Sequence, residues 1–116
     1  MAYENRVKIQ QLNIPEVLIQ KYGAVSGQIA KKMAQNVRVI FKTDFGIGIT
    51  GIAGPSGGSR HKPVGLVYIA IAGSQATRCS KNFFLGSRTE IQERASHKAL
   101  DLLRQQLLDL NRRRLS

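Results

Sequence analysis

The stretch "FGIGITGIAGPSGGSRHKPVGLVYIAIA", Phe45 to Ala72, holds two short apolar runs separated by small and turn-forming residues. "FGIGIT" and "VGLVYIAIA" are rich in β-branched residues and bounded by glycine, the pattern of strands covered on both faces. They belong near the centre of a sheet. Between them, Thr50 to Ser59 packs four glycines, one proline and three hydroxyl side chains into ten residues. Such a segment cannot continue either strand and must be a loop.

Helical patterns flank this centre. "NIPEVLIQKYG" offers Pro15 at a helix start, apolar Val17, Leu18 and Tyr22 within it, and Gly23 as its stop. Ser26 is placed to cap a second helix, in which Ile29, Met33 and Val37 fall four apart and Ala30 and Ala34 widen the stripe. Lys31 and Lys32 read as its solvated face. Beyond the centre, "TRCSKNFFLG" reads as a third strand, joined to its predecessor by the turn "GSQA". Ser87 and Glu90 have the spacing of a capping box. Ile91, Ala95, Ala99, Leu102, Leu103, Leu107 and Leu110 then predict one helical stripe to the chain end. His97 lies off that stripe and reads as a surface residue. Helices on either side of clustered strands predict an α/β fold, a three-layer α/β/α sandwich, and the hairpin predicts a mixed β-sheet.

Composition bounds the function. The 116 residues, 42% hydrophobic, suit one domain spanning 1–116 with a modest core. No apolar run approaches the roughly 18 residues of a membrane span, and "MAYENRVKIQ" lacks a signal-peptide core, so the expected location is cytoplasmic with no membrane partner. Cys79 is the single cysteine, which excludes an internal disulfide and a cysteine-based metal site. Eighteen basic residues against seven acidic ones give a net charge of +11, which favours an anionic partner without naming it. Part of that charge is the terminal "NRRRLS", suited to the negative end of a helix. With no tryptophan and no interleaving of aromatic and basic residues, the stacking platforms of a single-strand nucleic-acid binder are missing.

The glycines invite familiar motifs, and each fails on context. Gly46, Gly48 and Gly51 match G-x-G-x-x-G, but they fall inside a strand, and Pro55, Gly57 and Gly58 exclude the helix a dinucleotide site requires. No Gly-Lys-Ser/Thr follows for a phosphate-binding loop. "DFG" at Asp44 to Gly46 lacks the other kinase motifs. Ser56, Ser59 and His61 lack a nucleophile elbow and a third member. What remains is a loop without Cβ atoms whose backbone N–H groups can approach an anion or a developing oxyanion, with Thr50 adding a hydroxyl, or else a plain flexible connection.

"GAVS" at Gly23 to Ser26, "TGIAGPSGG" at Thr50 to Gly58, "KPVGLVYIAI" at Lys62 to Ile71 and "FLGSR" ending at Arg88 resemble the CinA C-terminal domain over essentially the whole chain. That is the competence/damage-inducible family, whose members include nicotinamide mononucleotide deamidases. The resemblance implies hydrolysis of the amide of a pyridine mononucleotide to nicotinic acid mononucleotide and ammonia, with no metal and no cofactor. It implies catalytic roles for Tyr3 and Lys8, because "YENRVK" fits the family's Y-S-N-x-x-K with Asn5 retained and Glu4 at its second position. It places Thr50, Gly51, Gly54 and Arg88 beside the substrate. The family's nucleophile, a serine in a segment like S-C-T-G-G, has no counterpart here: the chain begins at the tyrosine motif, and Ser26, Ser56 and Ser59 lie elsewhere. The expectation is therefore a domain lacking its N-terminal strand and helix, with an unpaired sheet edge that favours homo-oligomers, and impaired in catalysis. A nucleotide-binding module without turnover is the second reading. A basic nucleic-acid-associated protein ranks last, since a basic tail is usually only solvated.

Overall fold

The computed structural model describes residues 12–52 and 63–115. In chain order these form α1 (Glu16–Tyr22), α2 (Gly27–Phe41), β1 (Gly46–Gly51), β2 (Leu66–Ala72), β3 (Thr77–Phe83) and α3 (Arg88–Leu115). The strands make a sheet of order β1-β2-β3. α2 lies on one face and α3 on the other, so the expected α/β/α layering is present.

Both strand pairings among the described residues are antiparallel, where a mixed sheet was expected. The reason lies in the connection between β1 and β2. Ile52 N–H donates to the Leu66 carbonyl at 2.9 Å, and Gly65 N–H donates to the Ile52 carbonyl at 2.6 Å, so the chain turns back on itself as a pinched hairpin. A parallel pair would need the connection to cross to the far end of the sheet, whereas here its two ends are bonded to each other.

The pleat sorts the two faces. Gly46, Gly48 and Thr50 of β1 stand opposite Ala72, Ala70 and Tyr68 of β2, and this set faces α2. Ile47 and Ile49 stand opposite Ile71 and Ile69, and with Val67 they face α3, where Ile91, Ala95 and Ala99 complete the core. Alternation with period two is what sends glycine, alanine and threonine one way and isoleucine and valine the other.

Glycine in β1 has a packing purpose. A Cβ at Gly46 would run into the Ala34 carbonyl, and one at Gly48 into the Ala30 carbonyl. α2 therefore rides directly on the β1 backbone, with Ala30, Ala34, Ala70 and Ala72 keeping the rest of the seam thin. This accounts for G-x-G inside a strand without any nucleotide.

Helix boundaries follow local chemistry. The Ser26 hydroxyl accepts from Ile29 N–H at 3.3 Å, capping α2, while donating to the Gly23 carbonyl at 2.9 Å. Gly23 closes α1 at φ 84°, a conformation in which a Cβ would be strained. In the capping box of α3, Glu90 N–H donates to Ser87 Oγ and Ser87 N–H donates to Glu90 Oε1.

One apolar reading is refined by the structure and one is corrected. In α1 the buried side chain is Ile19, packed with Ile14, Ile29 and Met33, whereas Val17 is 65% exposed. A helix of seven residues has one face to bury, and its contact with α2 selects the face of Ile19. In α3 the buried run is Ile91, Ala95, Ala99 and then Gln106, while Leu107 is 45% exposed. Twenty-eight residues span about 42 Å, well beyond the seven-residue strands, so the helix outruns the core past Leu102 and Leu103, which still pack against it as expected.

Candidate functional site

One end of the sheet gathers the motif residues. The N-terminus of α2, the end of β1, the base of the glycine-rich hairpin and the β3–α3 connection all converge there. Thr50 is 4% exposed, and its Oγ1 donates to the Ala24 carbonyl at 2.8 Å, tying the end of β1 to the loop that enters α2. Next to it, Gly51 stands opposite Val67. A Cβ at Gly51 would come within 2.8 Å of both the Leu66 carbonyl oxygen and Val67 Cγ2, so only glycine fits where the hairpin leaves the sheet. Gly65 closes that hairpin at φ 96°, and its carbonyl accepts from Phe84 N–H at 2.9 Å. This bond brings the segment leading to Arg88 alongside the hairpin base. Arg88, the first residue of α3, is exposed and forms no ion pair among the described residues.

Tyr3, Lys8 and Gly54 lie outside the described residues, as do Ser56, Ser59 and His61. Of the sequence-derived site, the structure thus brings Thr50 and Gly51 together and sets Arg88 at the same end of the sheet. It gives the Thr50 hydroxyl an acceptor within the chain, so what this residue demonstrably does is anchor the site.

Sequence reasoning on the site passed over a depression of about 380 Å³ beside the α2 N-terminus, lined by Gly27, Gln28, Lys31, Tyr68, Cys79 and Lys81. Gly27 opens it: even a Cβ there would only reach ordinary contact with Cys79 Sγ and Tyr68 Cδ1. The signal was present in the strand alternation, since Tyr68, Cys79 and Lys81 point to the same face as Thr50. The helix N-terminus, Lys31 and Lys81 make this corner electropositive. Burial pushes the Cys79 thiol upward against the smaller, opposing influence of Lys31, which keeps it protonated near neutrality and a poor nucleophile. Among the described residues no group of His, Cys, Asp or Glu is arranged to hold a metal ion. Nor is any helix long and apolar enough to cross a membrane.

Among the described residues, an antiparallel sheet thus lies between two helices, with the base of a glycine-pinched hairpin and a helix N-terminus meeting at one end. Residues 1–107 match the family described as the CinA C-terminal domain, and the chain belongs to that family. It is 46% identical over 110 residues to a CinA-like protein of Dictyoglomus thermophilum, covering 95% of this chain and 27% of that protein. It is 44% identical over 107 residues to a putative competence-damage inducible protein of Caldanaerobacter subterraneus, covering 92% of this chain and 26% of that one. Among solved structures, the competence/damage inducible protein CihA from Agrobacterium tumefaciens superposes with a TM-score of 0.85 at 35% identity, covering 88% of this chain and 63% of that one. A CinA superfamily protein from Enterobacter cloacae gives 0.86 at 30% identity over 91% and 63%. The chain thus spans about a quarter of the length of these curated relatives and somewhat under two thirds of these solved ones.

Proposed function

We propose that the sheet end carrying Thr50, Gly51 and the glycine-rich hairpin binds a pyridine mononucleotide, and that Tyr3 and Lys8 serve the hydrolysis of its carboxamide. The observation that supports this most is that four anion-favouring elements lie at the same end of the sheet. These are the capped N-terminus of α2, the glycine-pinched hairpin base, the basic corner of Lys31 and Lys81, and the exposed Arg88. A phosphate suits the helix N-terminus and a guanidinium. Small residues in the hairpin, Gly54 among them, let backbone donors reach a ligand that side chains would hold away.

In this reading a serine hydroxyl adds to the amide carbon and gives its proton to Lys8, whose amine is a usable base only when burial or neighbouring cations lower its pKa. Tyr3 relays that proton or orients the lysine. The carbonyl oxygen becomes an oxyanion, for which one preorganised donor contributes about 2.7–4 kcal/mol. Collapse expels ammonia, protonated on the way out, and water then releases nicotinic acid mononucleotide from the acyl-enzyme. No metal or cofactor is required. The 116 residues contain no S-C-T-G-G segment, and none of Ser26, Ser56 or Ser59 stands in its place. By themselves they are therefore expected to bind the mononucleotide with little or no turnover, as a nucleotide-binding module would. The buried Ser26 hydroxyl, engaged as acceptor and donor in the α2 cap, is unsuited to stand in as nucleophile.

The experiment is calorimetric titration of the chain with nicotinamide mononucleotide alongside an assay for ammonia, with Lys8→Ala and Arg88→Ala as variants. Saturable binding weakened about tenfold in Arg88→Ala is expected. Ammonia release at the rate of an intact amidase would overturn the binding-only state of these residues, and absence of binding would overturn the substrate. Binding to DNA that falls steeply with salt, with none to the mononucleotide, would transfer the charge to a nucleic-acid role.

A further inference from the structure

We propose that Lys81 and Tyr68 set the specificity of the mononucleotide site, Lys81 by holding the phosphate and Tyr68 by walling the ribose, with the ligand lying across the strands. The assignment rests on a pyridine mononucleotide occupying that sheet end, and it gives each end of the ligand a place. Thr50 stands opposite Tyr68, and Tyr68 opposite Lys81, so the three form one rung across β1, β2 and β3. Residues on one rung share a face, here the face toward α2. Neighbouring strands lie about 4.8 Å apart, which sets Thr50 and Lys81 roughly 10 Å apart along the rung. A ring, a sugar and a phosphate in line bridge that span: with the carboxamide at the hairpin base, the phosphate falls at Lys81.

The rung ends in the 380 Å³ depression, whose lining holds the ammonium groups of Lys31 and Lys81 and no carboxylate. Neither lysine forms an ion pair among the described residues. Lys81 Nζ lies 5.5 Å from the centre of the Phe83 ring, an exposed cation–π contact weaker than a charge-assisted hydrogen bond to phosphate. α2 adds its N-terminus: Ser26 accepts from Ile29 N–H, and the N–H groups of Gly27 and Gln28 have no acceptor among the described residues. An anion here meets two ammonium groups and the positive end of a fifteen-residue helix. Gly27 keeps the Tyr68 ring accessible, because a Cβ there would already lie 3.6 Å from Tyr68 Cδ1 and a longer side chain would fill the space beside the ring. Arg88 is not part of this lining, so phosphate recognition by Lys81 is separable from it.

The test is calorimetric titration of the 116-residue chain with nicotinamide mononucleotide and with nicotinamide riboside, which lacks the phosphate. The variants are Lys81→Gln, Tyr68→Leu and, as a control for net charge on the other side of the sheet, Lys98→Gln. Lys81→Gln is expected to weaken the mononucleotide about tenfold and leave the riboside unchanged, a split that a merely structural role would not produce. Tyr68→Leu should weaken both ligands alike, and Lys98→Gln should change neither. Lys81 is exposed, so its variant keeps the test valid even if Tyr68→Leu loosens the sheet. The proposal is overturned if Lys81→Gln binds the mononucleotide as tightly as the wild type, or weakens it no more than Lys98→Gln does. Equal affinity of the wild type for both ligands overturns it as well. Failure of the wild type to bind the mononucleotide overturns the reading of the site and this assignment with it, whereas binding that Lys81→Gln leaves intact overturns the assignment alone.

Discussion

The two faces of one three-stranded sheet are packed on opposite principles. Toward α2 the sheet offers Gly46, Gly48, Ala70 and Ala72 to Ala30 and Ala34, and the helix sits against backbone. Toward α3 it offers Val67, Ile69 and Ile71, flanked by Ile47 and Ile49, and the helix is held off by branched side chains. Apolar burial stabilises in rough proportion to area, so the α3 face supplies more of the hydrophobic stabilisation. The α2 face supplies position: it fixes the helix whose N-terminus, through Ser26, Gly27 and the Thr50–Ala24 hydrogen bond, forms one wall of the candidate site.

This contrast can be broken by substitution. The largest expected effect is Ile69→Ala, which opens a cavity on the α3 face and should cost about 4 kcal/mol, read from the urea midpoint. Gly48→Ala should cost about 3 kcal/mol although it adds a single methyl group, because that methyl meets the Ala30 carbonyl and α2 must move. If Gly48→Ala proves neutral, the close docking of α2 is wrong. A sharper pair is Ala70→Val against Ile69→Val. Adjacent on β2 but facing opposite ways, they should cost about 2 and about 1 kcal/mol, respectively, so the α2 face resists an added group more than the α3 face resists a lost one.

Capping gives smaller effects. Ser26→Ala removes a buried cap and should cost about 1 kcal/mol, with mononucleotide binding weakened as the α2 N-terminus frays. At the start of α3, hydrogen bonds from the Ser87 backbone and hydroxyl hold the exposed Glu90 carboxyl below its usual range, with Arg94 adding a smaller push in the same direction. A pKa lowered by folding contributes stability that is present above the unfolded value and lost as pH falls through the folded one. Acidification through and below the ordinary glutamate range should therefore lower the melting temperature slightly more in the wild type than in Glu90→Gln. Equal slopes would remove the carboxylate from the cap.

Much of this was open to reading along the chain. Ser26, Gly23 and the Ser87–Glu90 pair mark helix ends because capping is a contact between residues a few positions apart. The apolar runs of β1 and β2 and the "GSQA" turn mark the strands for the same reason. The rejection of the dinucleotide motif also rested on local context, and the structure supplies the use those glycines have instead. Gln106 was legible only as a polar break in a leucine pattern, since where a long helix outruns its sheet depends on elements far apart in sequence. Leu107 turns outward on the same account.

The sequence by itself determined the kinds of element, their caps and their order, and its segment motifs determined the family, because each depends on neighbours along the chain. Only the tertiary structure decided that both strand pairings are antiparallel, that α2 lies against bare backbone, and that Thr50 is bonded to Ala24. It alone buried the Gln106 amide oxygen where α3 outruns the sheet. Those outcomes depend on which surfaces meet and how closely, and a glycine or a glutamine carries no record of its distant neighbour until the layers close.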